Sequence, residues 1–246
     1  MFAVYSFCRA VDDVVDSDAE PEVARVQLAQ WLKEIRACYE GAPTHPVAQA
    51  LYPVVRTYEL PRQYFEDLIT GMEWDLERHG YLTFSELNRY CYHVAGVVGL
   101  IAVRIFGCRQ TKQADAFALN LGTAFQLTNI LRDIATDAAR GRVYLPEEDL
   151  TQFGVTAEQL KANQSGEAFR RLMAFECQRA RDYFSEARAY VHAQDRWRLT
   201  PALSMAGVYQ RYLDQIETAN YDVFSAPITL SPFQKLTLAL KGALLP

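Results

Sequence analysis

Gln126-Leu127-Thr128-Asn129-Ile130-Leu131-Arg132-Asp133-Ile134-Ala135-Thr136-Asp137 decides how this chain of 246 residues is read. Asn129, Asp133 and Asp137 recur at i, i+4 and i+8, so on an α-helix their side chains form one polar stripe. Gln126, three residues earlier, joins the same side. Leu121, Phe125, Leu127, Ile130, Leu131 and Ile134 make the rest of the helix apolar. A solvated face is normally rich in Lys and Glu, and this stripe has neither. It is therefore predicted to look into an internal site.

The same spacing returns near the start of the chain. Asp12 and Asp16, in Asp12-Asp13-Val14-Val15-Asp16, share one face of a predicted helix whose preceding residues, Phe2 to Phe7, are largely apolar. Like charges at this spacing repel by a few tenths of a kcal/mol, on the order of 0.3. Paired carboxylates beside a buried face need a cation. Two helices that each present an Asp pair suggest the facing halves of one site. Hard oxygen ligands of this kind suit Mg²⁺, which is usually held by one or two carboxylates together with substrate phosphate oxygens. Arg9, Arg132, Arg140 and Arg142 stand within a few residues of the aspartates, and arginine matches phosphate geometry.

Around these two stretches the apolar period is helical nearly throughout. Val23, Val26, Leu28, Trp31, Leu32 and Ile35 mark a helix from about 23 to 39, with Pro21 ahead of it and Gly41 behind. Segments opening at Thr44-His45-Pro46 and at Pro61 read the same way. Thr83 with Glu86 fits a capping box for a long helix to about Phe106, which Gly107 ends. The stripe itself lies on a helix from about 111 to 137, and Gly141 closes its continuation. Further helices are predicted over about 167–193 and 200–219. No strand–helix alternation or repeat appears. The expected fold is all-α, one helical domain over 1–246.

Composition narrows the function. Half the residues are hydrophobic and net charge is −5, with no basic block, so nucleic acid is not an expected partner. The five cysteines are scattered without a CxxC pair, which disfavours a disulfide scaffold and a structural zinc site. The longest apolar run, Val94 to Val103, has ten residues, half of what spans a bilayer. A cytoplasmic location is expected. Residues 233–245, apolar with Lys235 and Lys241, could rest on a membrane surface, the inner membrane of a bacterium, or dock on the core. GxxxxGK[ST], GxGxxG and GxSxG are all absent, which removes P-loop, Rossmann and nucleophile-elbow chemistry.

With these residues in place the chain resembles the squalene/phytoene synthases. Tyr5-Ser-Phe-Cys-Arg9-Ala-Val-Asp12-Asp-Val-Val-Asp16 is similar to the family's first aspartate-rich motif, and Asn129 through Arg142-Val-Tyr144-Leu-Pro to its second. Gly71-Met-Glu-Trp-Asp75-Leu and Tyr90-Cys-Tyr-His-Val-Ala-Gly96-Val-Val-Gly99 also match, so the resemblance spans the chain. It implies the isoprenoid synthase helical bundle with a central cavity, and head-to-head condensation of two prenyl diphosphates. It implies that Asp12, Asp16, Asn129, Asp133 and Asp137 bind Mg²⁺ with diphosphate. Arg9, Gln126, Asn129, Arg132, Arg142 and Tyr92 are the implied substrate-binding residues; Tyr5, Arg9, Tyr144 and Tyr209 are the implied catalytic ones. An allylic cation needs a dry cavity and is stabilised by aromatic faces, for which Phe2, Tyr5, Phe7, Tyr90, Tyr92, Phe125 and Tyr209 are candidates. Phe7 and Phe125 read better as core.

The resemblance is closest to the hopanoid-type presqualene diphosphate synthase, which joins two farnesyl diphosphates. Phytoene synthase, which joins two geranylgeranyl diphosphates in carotenoid synthesis, is the alternative, and a non-catalytic assembly factor of this fold a remoter one. The family's usual segment ahead of the first motif is missing. Ser225-Ala-Pro-Ile stands where basic residues commonly follow, which implies one fewer phosphate-contacting arginine. His93 replaces a tyrosine of the animal and fungal squalene synthases, which argues against the reductive step and hence against NADPH as a cofactor, although the family binds NADPH without a Rossmann fingerprint.

Overall fold

A computed structural model describes residues 1–16, 20–77, 80–235 and 237–238. Among the described residues all regular structure is helical. The first half comprises α1 (Phe2–Asp16), α2 (Pro21–Glu40), α3 (Pro46–Thr57) and α4 (Arg62–Glu77). Next come α5 (Phe84–Cys91), a π-turn (Tyr92–Gly96) and α6 (Val97–Ile105), which run on as one rod. The second half holds α7 (Lys112–Ala139), the short α8 (Glu147–Phe153) and α9 (Ala157–Lys161), then α10 (Glu167–Ala189) and α11 (Thr200–Thr218).

The 28-residue α7 is the axis of the molecule, packed by α5, the π-turn, α6, α9, α10 and α11. Its start is set by Thr111, whose hydroxyl accepts from the Ala114 amide at 3.2 Å. Its end is set by Gly141 at φ 78°, a left-handed position that costs a side-chain-bearing residue about 1 kcal/mol. That reversal turns the chain so that Arg142 and Tyr144 come back along the helix they have just left.

Two apolar cores flank a seam. One is built by α1 to α4 with Val97 and Ile101 of α6, and Phe7 sits fully buried in it against Trp31 and Phe65. The other is built by α5 and α7 to α11. Tyr64, Tyr92 and Val94 pack against both. The rods meet closely: a Cβ on Gly99 would lie 2.6 Å from the Ala118 carbonyl oxygen, and one on Gly122 would lie 2.8 Å from that of Ala95.

Several boundaries differ from the sequence reading. The rod expected from Thr83 to Phe106 is interrupted by the π-turn, which adds one residue and rotates α6 relative to α5. Thr83 caps α5 as expected, but the second half of the box is not made: the Glu86 carboxylate accepts from the Leu82 amide at 3.0 Å instead. The complete box is at Thr156 and Gln159. α10 stops at Ala189, four residues short. Most of the stretch 233–245, proposed for a membrane surface, lies outside the described residues; Phe233 within it is exposed. No described helix is long and apolar enough to cross a membrane.

Candidate active site

The seam between the cores opens as a cleft of about 490 Å³. From α1 it takes Arg9, Asp12 and Asp16; from α7, Gln126, Asn129, Arg132, Asp133 and Asp137. The chain after α7 adds Arg140, Arg142 and Tyr144. Asp75 of α4 and Tyr90 of α5 complete the wall. The two predicted aspartate pairs thus line one cavity, on helices whose backs are buried in different cores.

Three of the aspartates are held by arginines, Asp16 from across the seam and Asp12 and Asp133 from their own helices. Arg140 donates to Asp16 at 3.0 Å and Arg142 at 3.5 Å, while a second Arg142 nitrogen donates to the Val15 carbonyl at 3.1 Å. These bonds tie the end of α1 to the loop beyond α7. Arg9 donates to Asp12 at 3.1 Å and pairs with Asp13 at 2.7 Å. Arg132 grips Asp133 with two donors, at 2.8 and 2.5 Å, while its guanidinium lies 5.1 Å from the Tyr212 ring. Charge-assisted bidentate pairing of this kind holds a guanidinium in the geometry that phosphate oxygens also fit.

Crowded negative charge shows in the carboxyls. Asp12 is raised above its usual value by burial and by Asp16. Asp137 is pushed up to about 7 by burial and then by Asp133. Its ordinary value is 3.8, so between about 4 and 7 the folded chain holds a proton that the unfolded chain has lost. The stability of the chain alone therefore falls as pH rises through that window. Asp137→Asn is expected to melt higher than the wild type near neutral pH and above, with the gap shrinking toward about pH 4. Paired melting curves across that range check it, and a gap independent of pH would refute the assignment.

Asp75 is the site residue that the sequence reading missed. It is 8% exposed and receives two tyrosine hydroxyls, Tyr90 at 2.8 Å and Tyr144 at 2.9 Å. Burial pushes its carboxyl up to about 6 against the lowering effect of both hydroxyls. Both phenols are in turn raised, first by burial and next by Asp75. The rings of Tyr81, Tyr90 and Tyr144 stack in a group, with Tyr90 and Tyr144 5.4 Å apart. The helix of Asp75 also carries Glu66, Asp67, Glu73 and Glu77, so nothing in the local sequence singles it out.

The predicted tyrosines divide. Tyr144 lines the cleft. Tyr209 lies behind its wall, 4.3 Å from Phe125 between ring centres, where burial raises its phenol and the nearby Arg132 and Asn129 lower it. Asn129 Oδ1 is buried with no partner. Tyr5 is 65% exposed on α1 beside Phe2, away from the cleft wall. Tyr92, two residues after Tyr90 and so on the opposite face of the rod, turns from the cleft and donates to Asp67 at 2.8 Å.

Among the described residues no three His, Cys, Asp or Glu side chains converge on one point. The donors are oxygens spread along two helices. That set, with the unpaired Asn129 Oδ1, fits a hard cation completed by water and phosphate oxygens better than a closed protein cage.

An all-helical fold with aspartates and arginines facing one cleft is an arrangement whose charges suit phosphate esters, and the family it belongs to fits that chemistry. The chain belongs to the squalene/phytoene synthase family, whose model matches residues 1–234, and that family consists of prenyltransferases. It is 36% identical to a phytoene synthase of Arthrospira platensis, over 96% of this chain and 80% of that protein. A chloroplastic phytoene synthase of Daucus carota is 37% identical over 96% of this chain, which spans 61% of the longer plant protein. Among solved structures, a squalene synthase, HpnC, of Alicyclobacillus acidocaldarius superposes with a TM-score of 0.81 at 33% identity, over 90% of this chain and 83% of that one. A dehydrosqualene synthase does so with a TM-score of 0.84 at 31% identity, over 98% and 84%.

Proposed function

We propose that this chain condenses two prenyl diphosphates head to head, and that the substrates are two farnesyl diphosphates joined to presqualene diphosphate. The observation that carries the reaction class is the single cleft in which Asp12 and Asp16 face Asp133 and Asp137 with Arg9, Arg132, Arg140 and Arg142 between them. The choice of farnesyl chains rests on the overall family resemblance, especially over the sequence stretches Gly71–Gly99 and Tyr221–Leu240. The phytoene reading is favoured by curated relatives of that name at 36–37% identity and is kept as the second.

The residues divide the work by chemistry. Asp12, Asp16, Asp133 and Asp137, with Asn129 Oδ1, would hold Mg²⁺ against the diphosphate. The chemistry that the bound metal supplies is neutralisation of the leaving group, which lets an allylic C–O bond ionise. Each cleft arginine can exchange its carboxylate for phosphate oxygens without changing its own geometry. Asp75 holds Tyr90 and Tyr144 by their hydroxyl protons, so these rings stay fixed beside the diphosphate. Stacked electron-rich ring faces next to a forming carbocation stabilise it by about 1–2 kcal/mol when water is excluded. Gln126 adds a neutral hydrogen-bonding group that does not compete for the metal's charge.

The test is to incubate the purified chain with Mg²⁺ and each of farnesyl and geranylgeranyl diphosphate, without reductant, and identify products by mass spectrometry. A thirty-carbon diphosphate is expected. A forty-carbon hydrocarbon would move the assignment to phytoene synthesis. No product from either substrate, with the chain folded, would sink the enzymatic reading.

A further inference from the structure

Behind the tyrosine wall lies a charged cluster that makes no contact with the cleft. Arg179 of α10 donates from one nitrogen to Asp149 of α8 at 2.7 Å and to both oxygens of Glu176 at 2.8 Å, and from another to Asp149 at 3.2 Å. Asp149 is 3% exposed and Glu176 is 1% exposed. The guanidinium is sandwiched between Phe84 at 4.1 Å and Phe175 at 4.6 Å. Such a buried set is costly to desolvate and is weak evidence for stability as such. Its location suggests what it is for.

Asp149 follows Tyr144 by five residues, and Phe84 follows Tyr81 by three. Between these ends the two segments are pinned backbone to backbone. The Glu147 amide donates to the Tyr81 carbonyl at 2.9 Å and the Glu148 amide to the Leu82 carbonyl at 3.1 Å. The Phe84 amide donates to the Glu148 carboxylate at 2.6 Å. Arg179 thus grips one segment by charge and the other by its ring, from a third helix.

We infer that Arg179, with Asp149, is a positioning element that fixes the 144–149 segment against residues 81–84 and so holds Tyr144 on Asp75. The inference rests on the functional reading above. It assigns no contact with substrate to Arg179. A phenol hydroxyl 2.9 Å from its acceptor loses its bond after a shift of well under 1 Å, and misplacements of that size cost about ten- to a hundredfold in rate.

Removing Arg179 would strand two buried carboxylates, and that variant could fail to fold. Asp149→Ala is the better probe, because it leaves Arg179 paired one to one with Glu176. Steady-state turnover of the prenyl diphosphate is expected to fall about tenfold in kcat with KM within about twofold, since binding groups on α1 and α7 are untouched. Asp149→Glu should recover most of the loss. Combined with Tyr144→Phe, Asp149→Ala should cost no more than Tyr144→Phe does alone, because the hydroxyl it positions is already gone. Amide hydrogen exchange is the readout that needs no activity: Glu147 and Glu148 should exchange faster in Asp149→Ala, and the amides of α2 should not. Unchanged exchange at both positions overturns the inference whatever the enzyme does. Faster exchange with unchanged kcat, or losses that multiply in the double variant, leaves the cluster merely structural and overturns it too. A wild-type chain that turns over neither substrate sinks the functional reading, and hydrogen exchange alone then decides whether the clamp exists.

Discussion

Asp133→Asn is expected to lower turnover on the order of 10³-fold, the loss of about 4 kcal/mol that one metal-binding carboxylate supplies to a charge-separating transition state. The amide is isosteric, so packing on α7 survives. What changes is charge. Asp133 is gripped by two Arg132 donors and raises the neighbouring Asp137 carboxyl. Removing its charge frees Arg132 and relaxes Asp137. Calorimetric titration with inorganic pyrophosphate separates the two consequences. Without metal, binding should tighten, since Arg132 is released. With Mg²⁺, binding should weaken, since a proposed ligand of the metal is lost. If the variant binds pyrophosphate in Mg²⁺ as well as the wild type does, the proposed site is wrong.

The second large effect concerns the fold. Helix propensity favours Gly99→Ala by about 1 kcal/mol, because alanine orders the backbone at less cost than glycine. The packing predicts the opposite sign. The added Cβ would lie 2.6 Å from the Ala118 carbonyl oxygen, an atom of the α7 backbone that has no rotamer to escape into. Forcing the rods apart costs about 3 kcal/mol or more, and the clash wins. For a chain of this size the net of about 2 kcal/mol corresponds to roughly a 4–8 °C drop in melting temperature. Gly207→Ala in α11 is the control, because nothing lies within 4 Å of where its Cβ would stand. There propensity is unopposed, and the variant should melt slightly higher. Equal shifts at the two positions would show that the close crossing of α6 and α7 is not what Gly99 serves.

These two sites mark what a single sequence discloses. The stripe on α7 was legible because its parts are four residues apart on one helix, and spacing alone puts them on one face. Arg9 and Arg132 were legible for the same reason, standing beside the aspartates they pair with, whereas Arg140 and Arg142 cross the seam to Asp16, more than 120 positions away. Asp75 was not, because what makes it a site residue is burial with Tyr90 and Tyr144, 15 and 69 positions along the chain. Tyr92 shows a different obstacle. Tyr90 and Tyr92 were both candidates for the cavity, yet two residues apart on a helix they point to opposite faces, and Tyr92 donates to Asp67. Nothing local in Tyr-His-Val-Ala-Gly announces an extra residue per turn; it arises where Gly96 meets α7 and Gly71 meets the turn. Helix existence and type followed from periodicity. Close approach, register shifts and buried polar partners are products of tertiary packing, and a period does not record them.

The arginine–aspartate pairing of the cleft also governs how substrate arrives. Five aspartates and four arginines line it, so the resting cavity is close to electroneutral. Its far field is accordingly weak, and a free diphosphate approaching from beyond about 8 Å at physiological salt feels little pull. Capture is then a short-range exchange of partners, in which Asp12, Asp16 and Asp133 give up their arginines as the incoming ester and its counter-ion take their places. Encounter on these terms depends little on ionic strength, and selectivity among anions falls to fit inside the cavity, where a bare polyanion without its own positive ion meets as many repelling groups as attracting ones.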